Sequence, residues 1–122
     1  MKNQAYRMAM LFDFYGDLLT DRQREFFDLY YNEDLSLAEI AENYGISRQG
    51  VRDVIVRAEN TMTEVEDKTH LIRRFHKMQG EIAAIDKAAD ELAGYAARND
   101  SDGTLTAIVQ TIRDNTARLK QE

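Results

Sequence analysis

The sequence contains no cysteine, no proline and no tryptophan, and only six glycines in 122 residues. Without cysteine there is no disulfide framework, no thiolate metal ligand and no thiol nucleophile, a usage that fits a reducing cytosol. Without proline and with so little glycine, the chain lacks the turn residues that a sheet needs at regular intervals. An all-α fold is therefore expected. No stretch approaches about 18 consecutive apolar residues, the least that reads as a membrane span. Asp13 and Asp17 interrupt the apolar opening segment, which argues against a signal-peptide core and for a cytoplasmic protein.

The chemistry of catalysis is equally sparse. No glycine-rich phosphate loop is present. The two histidines, His70 and His76, fall off a common helix face, and the i, i+4 pair Glu66 and His70 reads as an ordinary surface pair, so no metal site is expected. The chain reads as a non-enzyme without catalytic residues, cofactor or metal. Positive charge is also short, with 16 basic residues against 22 acidic ones. Between Thr20 and Met62 five arginines face nine acids, a net of −4. Duplex-binding domains usually carry a basic face, because neutralising phosphates supplies most of their non-specific affinity.

What is present is helical periodicity. From Gln4 to Leu19 the residues Leu11, Phe14, Tyr15 and Leu18 follow the i, i+3, i+4, i+7 rule. Phe12 and Leu19 add a neighbouring stripe, so this helix is expected to be buried on two sides. Thr20 with Gln23, and Ser36 with Glu39, are capping boxes in which a hydroxyl and a side chain three residues on satisfy each other's amides. They open helices at Asp21–Tyr31 and Leu37–Tyr44. Gly45 stands where a helix stops in a left-handed conformation, and Ser47 caps the next helix, expected to reach at least Asn60. It either runs on or restarts near Thr61 or Thr63. Leu71, Phe75, Met78, Ile82, Ile85, Ala89, Leu92 and Ala96 are then spaced alternately four and three residues apart, a coiled-coil seam. Turn residues from Arg98 to Gly103 interrupt it, and a last helix, about Thr104 to Lys120, carries Leu105, Ile108, Ile112 and Leu119. The two helices form either an antiparallel hairpin or a coiled-coil dimer, and two hairpins in a four-helix bundle satisfy both. The expected domains are residues 1–62 and a helical tail, 63–122, that serves dimerisation.

The stretch LSLAEIAENYGISRQGVRDVIVR has the requirements of a helix-turn-helix. Ala41 is small where two helices cross. Gly45 supplies the left-handed turn. Ile40, Tyr44, Ile46, Val51 and Val54 are apolar at the positions that hold the pair together. Such a pair presents its second helix, N-terminus first, to a major groove. Its candidate DNA-contacting residues are Ser47, Arg48, Gln49, Arg52 and Arg57: a helix N-terminus for phosphate, a glutamine for adenine and arginines for guanine or phosphate. The bland alternative is a solvated helix face with Asp53 paired to Arg57.

At these residues a resemblance enters. LTDRQREFFDLYYNEDLSLAEIAENYGISRQGVRDVI resembles region 4 of bacterial sigma factors. RMAMLFDFYGDLLT together with RQREFFDLYYNEDLSLAEIAE and SRQGVRD resembles the YlxM family of sigma-region-4-like helix-turn-helix proteins, over roughly Tyr6 to Phe75. Gly50, Arg52 and Val56 depart from the alanine, aromatic residue and lysine usual in that family. The resemblance implies a sigma-region-4-like domain, duplex DNA as partner and a link to the signal recognition particle pathway. Two functions are thus expected to compete. One is a transcriptional regulator binding DNA as a homodimer. The other is an adaptor that kept the fold and binds a component of the signal recognition particle or of RNA polymerase.

Overall fold

The computed structural model describes residues 4–121, and every described element is helical. The order is α1 (Ala5–Tyr15), a single 3-10 turn (Gly16–Leu18), α2 (Asp21–Tyr31), α3 (Leu37–Tyr44), α4 (Arg48–Thr69), α5 (Leu71–Asn99) and α6 (Thr104–Lys120). The all-α class is as the composition indicated. The chain divides into two compact units after Ile72.

In the first unit both capping boxes form. Thr20 Oγ1 accepts from the Gln23 amide at 3.2 Å and Ser36 Oγ from the Glu39 amide at 3.0 Å, and each glutamine or glutamate side chain returns the bond. Gly45 closes α3 at φ 67°, a conformation that costs a residue with a Cβ about 1–2 kcal/mol. Ile40, Ala41, Val51 and Ile55 then bury against Phe26 and Tyr30, with Tyr44, Ile46 and Val54 packed at their edge. Six of the seven residues assigned to the helix-turn-helix core belong to this cluster, and the seventh, Gly45, makes the turn.

A second cluster joins α1 to the later part of α4. Met8, Leu11, Tyr15, Leu19, Phe27, Ala58 and Met62 are its buried members. This is why α4 does not restart at Thr61 or Thr63. Ala58, Met62 and Val65 continue its apolar face against α1, so the helix runs 22 residues to Thr69. His70 stops it in a left-handed conformation, φ 55°. The buried face of α1 also differs from the expected one. Met8, Leu11, Phe12 and Tyr15 point inward, whereas Phe14 is 36% and Leu18 60% exposed. Phe14 thus lies on the outer side of α1, and the 3-10 turn that follows, Gly16–Leu18, leaves Leu18 exposed and Leu19 buried. Gly16 packs closely on Phe12, where a Cβ would sit 3.2 Å from the ring.

Tyrosine–glutamate bonds tie these helices. Tyr31 Oη donates to Glu59 Oε1 at 2.7 Å and Tyr15 Oη to Glu66 Oε1 at 2.6 Å. Tyr44 donates to Glu25. The same Glu66 oxygen accepts the Ile72 amide at 2.9 Å, so one carboxylate anchors both α1 and the first turn of α5. Burial, and then the bond to Glu59, push the Tyr31 hydroxyl well above the ordinary tyrosine range; Tyr15 is raised in the same sense. The unfolded chain releases these protons from about pH 10 upward, while the folded protein keeps them. Protons bound to the native state then exceed those bound to the unfolded one, and stability falls with pH. Urea midpoints are expected to stay level from neutral pH to about 10 and decline above it, with a shallower decline in Tyr31→Phe. An identical alkaline profile for that variant would refute the assignment.

The second unit is an antiparallel hairpin of α5 and α6. Arg113 pairs with Asp90 and Lys120 with Asp86, which sets the register. The Asp100 carboxylate accepts from the Thr106 amide and hydroxyl, both at 3.0 Å, and Gly103 makes the turn at φ 80°. The faces in contact are not quite the expected seam. Ile82, Ala89 and Ala96 are buried on α5, and Val109 and Thr116 on α6. The alternate seam members Met78 and Ile85 are 50% and 46% exposed.

Candidate nucleic-acid interface

The site is built from the starts of two helices. Ser47 Oγ accepts the Gly50 amide at 2.9 Å, so α4 begins at Arg48 with its remaining first-turn amides directed outward. No acidic residue lies in that first turn, and the partial positive charge of the helix end is left uncompensated. Gly50 is a close fit here. A Cβ on it would come within 3.2 Å of the Ser47 hydroxyl, so the glycine that weakens the helix interior also leaves the cap undisturbed.

Arg48, Gln49 and Arg52 line an open depression of about 390 Å³ together with Leu37. Leu37 is the first residue of α3, so the N-termini of α3 and α4 open onto the same hollow. Arg48 and Arg52 are one helical turn apart and share a face. Both are exposed, and neither forms an ion pair with any described residue. Gln49 is also exposed, with its amide nitrogen 2.9 Å from Asp53 Oδ1. Asp53 thus accepts from Gln49, four residues earlier, and is not paired with Arg57.

The five sequence-derived residues do not converge equally. Arg48, Gln49 and Arg52 come together. Ser47 acts through its cap. Arg57 lies nine residues beyond Arg48, about half a turn around the helix, and does not line the depression. Leu37 was missed, although its position just after a capping box placed it at the start of the helix that crosses the recognition helix.

Several acids of this region have structural partners. Glu25 and Glu59 accept tyrosine hydroxyls, Glu39 completes a cap, and Asp28 accepts from Asn32 at 2.6 Å. The net charge of −4 is a sum over the whole region, whereas the charged lining of the depression itself consists of two arginines. Among the described residues no group of His, Asp and Glu side chains is arranged to hold a metal ion, and no helix is long and apolar enough to cross a membrane.

Comparison with known proteins agrees with this geometry. Residues 2–98 match the family described as "Putative helix-turn-helix protein, YlxM / p13 like". A UPF0122 protein of Desulforamulus reducens is 42% identical over 100 residues, covering 82% of this chain and 83% of its own. One from Lacticaseibacillus casei is 40% identical over 114 residues, covering 93% and 95%. Another, from a Thermoanaerobacter species, is 46% identical over 83 residues, covering 68% and 71%. With a helix-turn-helix complete in the fold and a family match across most of its length, the chain belongs to the YlxM / p13-like family of UPF0122 proteins.

Proposed function

We propose that the protein is a cytoplasmic transcriptional regulator that binds duplex DNA as a two-fold dimer. The observation that carries this reading is the depression lined by Arg48, Gln49, Arg52 and Leu37, onto which two helix N-termini open. The start of α4 would enter the major groove, with Gln49 and an arginine toward base edges. The start of α3 and the other arginine would rest on the phosphates. Ser47 holds the helix start in place, and Arg57, on another face of α4, is at most a contact to flanking backbone.

A second reading is favoured by the net charge of −6: an adaptor that binds a signal recognition particle or polymerase component through protein contacts. The two are separated by titrating the full chain against random-sequence duplex and a selected-site library at two salt concentrations. The regulator is expected to bind with modest affinity and a shallow log–log salt slope, on the order of 3–6 for a dimer, because few cations face the DNA. No binding to either duplex at about 50 mM salt, where non-specific contacts show, would transfer the conclusion to the adaptor.

A further inference from the structure

The seam of α5 is wider than the surface α6 covers. Ile82, Ala89 and Ala96 turn toward α6 and are buried. Met78, Ile85 and Leu92 recur every seven residues beside them, half exposed to partly buried. On α6, Val109 and Thr116 are buried, while Ile108 is 50% and Leu119 46% exposed, with Ile112 partly covered.

Helix geometry decides whether these two rows share a side. Each exposed residue directly precedes a residue on the hairpin's contact face: Ile85 before Asp86 and Leu92 before Ala93 on α5, Ile108 before Val109 on α6. Each row is therefore rotated by about 100° in the same sense around its own axis. Because the helices run antiparallel, equal rotations carry both rows to one side of the hairpin. The ion pairs Asp86–Lys120 and Asp90–Arg113 put Ile85 level with Leu119, and Leu92 level with Ile112. The result is one apolar face, two helices wide.

We infer that this face is the surface through which a second copy of the chain packs, giving a four-helix bundle of two hairpins. This rests on the dimer proposed above and names its interface. Three features favour another copy over a different partner. First, the rows keep the seven-residue period that helices satisfy by packing against helices. Second, the exposed halves of these side chains amount to on the order of 400–500 Å² of apolar surface. That is about half of what one partner brings to a standard interface, a fraction in line with the apolar share of a helical dimer. Third, the rim complements itself. Glu81 flanks the face on α5 and Arg118 flanks it on α6, near the same end of the hairpin. A two-fold axis parallel to the helices lays α5 over the partner's α6 and brings Glu81 to Arg118 of the partner subunit. The face carries no one-sign charge of the kind a nucleic acid or an anionic membrane would select.

Sedimentation equilibrium of the full chain at micromolar concentration tests this. The unmodified chain is expected to have the mass of two chains. Ile85→Lys with Ile108→Lys should sediment as one chain, with dimer dissociation raised at least 100-fold and helicity retained, since both sites are half exposed and lysine is a good helix former. Ala83→Lys, at an exposed position about 160° around α5 from Ile85, should remain dimeric. A dimeric Ile85→Lys/Ile108→Lys variant would overturn this interface and leave the dimer standing. A monomeric unmodified chain would overturn both. DNA binding by a monomer would show that the DNA reading survives without either.

Discussion

Replacing Arg48 and Arg52 together with alanine is expected to abolish duplex binding at physiological salt while leaving the melting temperature unchanged. The two effects separate because of where these side chains are. Both are exposed, they form no ion pair with any described residue, and they line the depression at the start of α4. A charge-assisted hydrogen bond contributes about 1.5–3 kcal/mol, so two lost contacts per protomer correspond to a fall in affinity on the order of 100-fold or more. The salt slope should drop as well, by about one per phosphate contact removed. Stability should move by less than about 0.5 kcal/mol, as for surface changes that break no packing or cap. Fluorescence anisotropy with labelled duplex, alongside thermal melts by circular dichroism, reads both quantities. Undiminished binding would remove the depression from the proposed site. Arg57→Ala is the useful comparison, since its side chain points elsewhere and should cost little.

A second large effect is expected at Phe27. Its side chain is fully buried and its ring stacks on Phe12 at 4.8 Å and meets Tyr31 at 4.6 Å. It fills the space between α1, α2 and the continuation of α4 beside Ala58 and Met62. Phe27→Ala should destabilise by about 3–5 kcal/mol, through lost transfer energy and the cavity left behind. That is a large part of the roughly 5–15 kcal/mol available to a domain of this size, and it should lower the urea midpoint by roughly 1–3 M. Phe14→Ala removes the same side chain from a position 36% exposed and should shift the midpoint far less. Equal shifts for the two would mean that the inward face of α1 is the one containing Phe14, as its bare periodicity suggests.

Much of this protein was legible before any coordinates. The absence of proline and cysteine, the capping boxes at Thr20 and Ser36, Gly45 and the residues around Ala41 are local signals, readable because each depends on chain neighbours within a few positions. The same holds for the candidate contacts. Arg48, Gln49 and Arg52 follow from their distance to the Ser47 cap, and they are the three that meet. Arg57 looks equivalent in a linear reading, and only the angle around α4 separates it. Leu37 joins the site because α3 and α4 cross, a fact with no trace in the spacing of α4 itself.

The charge balance illustrates the limit from the other side. A net of −4 over the helix-turn-helix region counts every acid alike, whereas Glu25, Glu39 and Glu59 have tyrosine or cap partners. Composition carries no information about direction. The heptad of α5 likewise established that the helix needs apolar neighbours, but which half of the stripe meets α6 depends on the register set by Asp86–Lys120 and Asp90–Arg113.

By itself, then, the sequence determined the helices, their caps and the helix-turn-helix, because hydrogen bonding and periodicity are settled within one or two turns. Tertiary structure alone decided that α4 continues to Thr69, that Phe14 and Leu18 turn outward, that Arg57 leaves the site and that α5 keeps an uncovered row. Each of these is set by which surfaces meet across long separations, where packing against a partner helix outweighs local preference.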